Sequence, residues 1–249
     1  MTDRRTPSPP STGGRLVYAV GDVHGYAGAL ERLLADIVRD AEASRPAERP
    51  VVVFVGDYVD RGPDSRGAMD LVLAFAGRAD VEAAPLRGNH EEAMLRFLDE
   101  PAFAPAWIGS WGRETLKSYG VAAPDPDDVR ACAEARARFA AAVPDAHRGF
   151  LRGLELSRTI GDYHFVHAGV RPGVALAAQS PRDLMWIRHA FLDCDDDFGK
   201  VVVHGHTPAP GRPEVKANRI NVDTGVYFTG VLTAVRLEGE TRRFLQVAA

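Results

Sequence analysis

The chain has 249 residues, 45% hydrophobic and 26% charged, a balance that supports a buried core and excludes an intrinsically disordered or collagen-like protein. Its 30 basic and 34 acidic side chains leave a formal net charge of −4, which gives no broad attraction for nucleic acid. The longest unbroken apolar run, Leu71 to Ala76, is far too short to cross a bilayer, and Cys132 and Cys194 form no paired spacing, so reduced thiols in a cytoplasmic protein are expected.

The first fourteen residues, MTDRRTPSPPSTGG, lack the apolar stretch of a secretory signal and read as a flexible tail. Residues 16–20 then form a predicted strand that stops at Gly21-Asp22. Leu30, Leu33, Leu34, Ile37 and Val38 fall at the spacing of one buried helical stripe, predicting a helix over 28–43. The β-branched run 51–55 reads as a strand buried on both faces. A helix over 65–76, a weaker strand over 81–86 and helical periodicity over 91–98 follow. Between about 101 and 152 the rhythm breaks into a mostly helical cap insertion, with an alanine-rich helix over 129–143. Strands return at 154–160 and 163–168, joined by a Gly161-Asp162 hairpin turn, and again at 201–203, 220–222 and 231–237. Strands alternating with helices in the first half and mainly strands in the second predict an α/β protein. The expected architecture is a two-layered β-sandwich flanked by helices, in a single domain over 15–249.

Strand after strand ends in metal-ligand residue types: Asp22 with His24, Asp57 with Asp60, Asn89 with His90, His167, and His204 with His206. Loops at the ends of strands can aim their side chains at one point, and glycines 21, 25, 56, 62, 88, 169 and 205 would permit the crowding. Carboxylate, amide and imidazole together suit manganese, iron or zinc better than calcium. Singly, each residue has an ordinary explanation: Asp22 as a helix cap, Asn89 as a turn former, His167 or His204 as a core histidine. Five such clusters at five strand ends are hard to assemble by accident.

The stretches Gly21-Asp-Val-His-Gly25, Gly56-Asp-Tyr-Val-Asp-Arg-Gly62, Gly88-Asn-His-Glu91, His167-Ala-Gly169 and Gly205-His-Thr207 resemble the metal-dependent phosphoprotein phosphatases of the calcineurin-like metallophosphoesterases. The resemblance runs from about residue 16 to 237, and the Gly-His-Thr ending is similar to the bacterial and phage form. It implies that Asp22 and His24 hold one divalent metal, that Asn89, His167 and His206 hold a second, and that Asp57 bridges them. A hydroxide shared by the two cations, manganese first with iron or zinc as alternatives, would attack phosphorus in line. Arg61 would clamp the phosphoryl oxygens, Arg188 in Trp186-Ile-Arg188 resembles a second phosphate-binding arginine, and His90 would be the general acid, oriented by Asp60. His204 and His206, two apart on a strand, would point the same way; the resemblance selects His206, with His204 nearby.

The resemblance leaves the substrate open. A protein serine/threonine phosphatase, with phosphotyrosine as a further substrate, is the leading expectation; a diadenosine tetraphosphate hydrolase is the alternative, and a silent binder of a phosphorylated partner the third. The expected partner is thus a phosphorylated protein or small phosphoester, with no nucleic acid and no membrane. Within the cap, Trp107, Trp111 and Tyr119 read as packing residues because no dense arginine cluster accompanies them, and Arg130, Arg136 and Arg138 read as a solvated helix face.

Overall fold

A computed structural model describes residues 9–249. Three strand-to-helix units open the chain: β1 (Leu16–Val20) into α1 (Ala27–Ser44), β2 (Val51–Phe54) into α2 (Ser65–Ala76), and β3 (Glu82–Pro85) into α3 (Asn89–Asp99). The cap follows as a short 3-10 turn at Pro101–Phe103, then α4 (Ala104–Ser110), α5 (Arg113–Ser118), α6 (Val129–Ala142) and α7 (Asp145–Gly153). Next come β4 (Ser157–Ile160), β5 (Tyr163–Val166), α8 (Pro181–Trp186), α9 (His189–Leu192), β6 (Val201–His204), β7 (Glu214–Val215) and β8 (Arg219–Asn221). The chain closes with α10 (Val226–Thr229), β9 (Val231–Glu238) and β10 (Thr241–Ala248).

The strands form two five-stranded mixed sheets, in the orders β10-β9-β1-β2-β3 and β4-β5-β6-β8-β7. Alternation along β1 and β2 divides their side chains between two cores. Val17, Ala19, Val51 and Val53 face the second sheet and pack with Tyr163, Phe165, Val203 and Ile220. Tyr18, Val20, Val52 and Phe54 face outward, where Leu30, Leu33 and Ile37 of α1, Met69 and Val72 of α2, and Trp107 and Phe139 of the cap bury them. Strands buried on both faces are what the unbroken apolar runs require. On the far side of the second sheet, Val166 and Val202 pack with Leu184, Ile187 and Phe191.

Three findings depart from expectation. Residues 1–8 of the expected tail lie outside the described residues, but Thr12 is buried, and the backbones of Ser11 and Thr12 hydrogen-bond to Asp162 and Gly239. The chain is therefore tied down before residue 15. Strand β10 was not predicted: it is an edge strand with a polar start, Thr241 to Arg243, and its apolar residues Phe244, Leu245, Val247 and Ala248 do not alternate regularly with polar ones. Arg136 does not belong to a solvated face: its guanidinium donates to the carbonyls of Phe97 and Leu98, at the end of α3.

Candidate metal centre

The loops that follow β1 and β2 are stitched to each other before any side chain is considered. The Val23 and His24 amides both donate to the Asp57 carbonyl (3.0 and 2.8 Å), and the Gly62 amide donates to the His24 carbonyl at 2.9 Å. Among the described non-glycine residues six have a positive φ; one, Arg45, ends α1, and the other five are His24, Asp57, Asp60, Arg61 and His206. Left-handed backbone is costly for such residues and persists only where surroundings over-determine it. Two glycines show how closely the backbone approaches: a Cβ on Gly88 would sit 2.1 Å from Asp57 Oδ1, and one on Gly205 would sit 2.0 Å from Asp22 Oδ1.

These loops bring the expected ligand types together. His24, Asp57 and His90 present donor atoms within 4.8 Å of one another, and so do Asp57, His167 and His206, so Asp57 belongs to both groups. His24 Nε2 lies 3.6 Å from Asp57 Oδ2, and His167 Nε2 lies 3.4 Å from Asp57 Oδ1. His24 Nδ1 and His167 Nδ1 are engaged by the Val59 and Val55 carbonyls (3.0 and 2.9 Å), an arrangement that leaves each Nε2 lone pair free for a cation. Asn89 Oδ1 sits between His167 Nε2 and His206 Nδ1, at 2.9 and 2.8 Å. Asp22 Oδ2 accepts from the His206 amide at 3.0 Å, while its Oδ1 is buried without a hydrogen-bond partner. A buried, unpaired carboxylate oxygen beside imidazoles and an amide oxygen fits a pair of divalent cations.

His90 stands in the first of those groups, but its Nδ1 is taken by Asp60 Oδ2 at 2.7 Å, and only Nε2, 3.8 Å from Asp57 Oδ2, faces the centre. Asp60 is fully buried; its Oδ1 accepts from Thr115 Oγ1 at 2.6 Å, its Oδ2 from Trp107 Nε1 at 3.2 Å. Arg61 and Arg188 are exposed at the rim, and among the described residues neither makes an ion pair. The Arg61 guanidinium carbon lies 4.3 Å over the Tyr227 ring, which itself meets His24 edge-on at 5.2 Å. The resulting cavity of about 110 Å³ is lined by His24, Asp57, Asn89, His90 and His206, by Arg61, Arg188 and Tyr227, and by Trp111, Trp186, Pro208 and Asp223.

Residues 16–230 match the calcineurin-like phosphoesterase family. The chain belongs to that family. It is 28% identical over 239 residues to the asymmetrical bis(5'-nucleosyl)-tetraphosphatase PrpE of Anoxybacillus flavithermus, covering 87% of this chain and 88% of the relative. It is 27% identical to serine/threonine-protein phosphatase 1 of Salmonella typhimurium, covering 90% and 93%. The fold is shared with the crystal structure of a Sphaerobacter thermophilus metallophosphoesterase, at a TM-score of 0.52 and 19% identity over 94% and 88% of the two chains.

Electrostatics in this phosphoesterase follow from burial. Burial, reinforced by the neighbouring His90, pushes His24 down to about 3, and burial likewise lowers His167 and His206, so all three imidazoles are neutral donors. Burial opposes the charged forms of Asp57 and His90 too. Asp57 is nonetheless held well below the usual carboxylate range by the histidines around it, of which His90, raised by Asp57 and Asp60, is the one that stays charged. Asp22 is pushed far up by burial and by the Asp223 and Asp57 charges. A group that must be ionised to bind a cation but resists ionising without one couples metal binding to proton release.

His204 and His206 do not point the same way. Strand β6 ends at His204, whose ring packs edge-on against Phe191 at 5.0 Å, while His206 lies in the left-handed region at φ 67° and turns into the centre. Alternation holds only while the strand continues, so His204 is a buried packing residue. Trp107 and Tyr119 do pack, both buried, with Tyr119 bonded to His147 at 2.8 Å; Trp111 instead meets the His90 ring at 4.9 Å and lines the cavity. Sequence reasoning gave no role to Glu91, Thr115, Asp223 or Tyr227. Glu91 accepts from the amides of Asp57 (2.8 Å), Tyr58 (2.7 Å), Val59 (3.4 Å) and Gly88 (2.9 Å) and so holds both loops. Its place in the Asn-His-Glu motif is visible in the sequence, but only the Gly88 donor is local; the other three lie 32 to 34 positions earlier.

Proposed function

We propose that this phosphoesterase is a dinucleoside polyphosphate hydrolase of the bis(5'-nucleosyl)-tetraphosphate class that works with two divalent cations, manganese first. The observation that carries the chemistry is the pair of ligand groups sharing Asp57, with the His90–Asp60 pair beside them. End-to-end similarity to PrpE supports the substrate class. Asp22, His24 and Asp57 would hold one cation, and Asp57, Asn89, His167 and His206 the other. When bound, such a pair supplies the attacking oxygen and offsets charge on the phosphoryl group.

The protein residues do the rest. Arg61 and Arg188, with unpaired guanidinium forks, would bind non-bridging phosphoryl oxygens. Tyr227 keeps Arg61 over the cavity. His90, held protonated by Asp57 and Asp60, would deliver a proton from Nε2 to the leaving oxygen, because Nδ1 is committed to Asp60. Direct in-line hydrolysis of this kind calls for no serine or cysteine nucleophile.

A protein serine/threonine phosphatase is the second reading, favoured by the Salmonella relative. The two are separated by measuring kcat/KM for diadenosine tetraphosphate and for a phosphoserine peptide on one manganese-loaded preparation. The dinucleotide should win by about tenfold or more. A higher value for the peptide moves the assignment to the second reading, and no turnover of either leaves a phosphate-binding module.

A further inference from the structure

The catalytic cavity, at about 110 Å³, is well under the ~300 Å³ of sites that enclose a whole small molecule, so most of a dinucleotide must lie outside it. A groove of about 860 Å³ opens directly beside it, walled by α3 and α8. Trp186 belongs to both spaces. Its ring lies 6.2 Å from Trp111 and 6.3 Å from His206, and its indole N–H donates to Glu92 Oε2 at 2.6 Å, two residues past His90 on α3. The groove therefore begins at the mouth of the site.

The charges along the groove are unequal in availability. Glu92 is occupied by Trp186, and Asp183 is occupied by Arg171 (2.5 and 2.8 Å) and by Ser180 (2.9 Å). Arg96 pairs with Glu100 and lies over Phe103. Arg182, exposed in the first turn of α8, makes no hydrogen bond or ion pair among the described residues. It stands four positions before Trp186, hence on the same helix face one turn from the cavity. A chain leaving the cavity over the Trp186 ring would next meet this unpaired fork, a geometry suited to phosphate, while the indole suits stacking by a planar base.

We propose that the α3–α8 groove is the subsite for the distal nucleotide of the substrate, with Arg182 receiving its phosphate. The proposal rests on the dinucleotide reading above. The test compares wild type, Arg182→Ala and Arg130→Ala, the last altering a remote arginine on α6, with diadenosine tetraphosphate and p-nitrophenyl phosphate as substrates. Binding of ATP to the metal-free proteins is followed in parallel by quenching of tryptophan fluorescence. Arg182→Ala should raise KM for the dinucleotide about tenfold with little change in kcat, weaken ATP binding similarly, and lower the dinucleotide-to-ester ratio of kcat/KM, whereas Arg130→Ala should match wild type. A dinucleotide KM unchanged in Arg182→Ala overturns the subsite while sparing the reading. Absent turnover of the dinucleotide by wild type overturns the reading instead, and the ATP titration then decides the groove: tenfold weaker binding in Arg182→Ala sustains it, equal binding or no quenching removes it.

Discussion

Glu91 offers a direct measure of how much the site architecture costs to hold. Its carboxylate is fully buried and receives three short hydrogen bonds, from the amides of Asp57, Tyr58 and Gly88, and one longer one from Val59. Replacement by alanine leaves those amides without an acceptor. At the low end of ~1 kcal/mol per stranded buried donor, the three short bonds give about 3 kcal/mol of destabilisation. A chain of this size loses ~2–4 °C of Tm per kcal/mol, so Glu91→Ala should melt roughly 6–12 °C below wild type. Glu91→Gln keeps one acceptor oxygen but turns an NH2 toward the donors, and should fall between. Calorimetry in EDTA isolates this loss from metal linkage, and a manganese titration of the same variants should show weakened binding, because Asp57 is no longer fixed. A Glu91→Ala melting point equal to wild type would refute the assignment of this carboxylate as the clamp on both loops.

Other perturbations follow from the same geometry. Asp22→Asn should abolish hydrolysis of p-nitrophenyl phosphate yet leave the EDTA-treated protein at least as stable as wild type, because it removes a buried carboxylate whose Oδ1 has no partner; a large drop in apo Tm would contradict this. Tyr227→Phe should keep near-normal kinetics while Tyr227→Leu raises KM several-fold, since only the ring face supports Arg61; equal kinetics in the two variants would show that the ring is dispensable. Asp40 accepts from Tyr18 Oη (2.5 Å) and Arg236 Nε (2.7 Å), and although burial opposes its charge these partners lower its pKa. Its stabilisation is therefore present above the ordinary carboxylate pKa of ~3.9 and lost as pH falls through the lower folded value. The Tm gap between wild type and Asp40→Asn should accordingly be constant near neutrality and close in acid, and a gap independent of pH would count against the interaction.

Legibility in the sequence tracked the range of the physics. Local periodicity located β1, α1, β2 and α2 to within a residue or so, because strands sandwiched between two cores must be apolar throughout and a helix covering one of them must carry a stripe. The ligand types were visible because each sits beside a glycine, or for His167 one residue from it, just past a strand. What escaped depends on contacts between distant segments or on the loss of regularity. His204 could not be separated from His206 while a continuing strand was assumed; the left-handed backbone at 206 accompanies long-range bonds, from the His206 amide to Asp22 and from the Gly205 amide to the His167 carbonyl. The Arg182 groove required α8 and α3 to be brought side by side, so no cluster of arginines shows along the chain.

Asp22, Asp57, Asp60, Glu91 and Asp223 are each at most 2% exposed, and burial pushes Glu91 and Asp223 up to about 7. Interior charge of one sign is costly unless cations or proton uptake offset it. Of the nearby protein cations, Arg61 and Arg188 lie at the exposed rim, His24, His167 and His206 are pushed toward neutrality, and His90 alone is held charged, against five carboxylates. Divalent cations binding here would therefore stabilise the fold as well as serve hydrolysis. Linkage sets the size: a free concentration 100 times Kd at one site contributes about 2.7 kcal/mol, or roughly 5–11 °C of Tm in a chain of this length. Manganese titrated into EDTA-treated, desalted protein should raise Tm progressively by at least that amount, and Asp57→Asn, which weakens both groups at once, should flatten the rise. A Tm that does not respond to manganese in wild type would mean that the buried carboxylates are neutralised by protons alone, and that these two groups do not hold divalent cations.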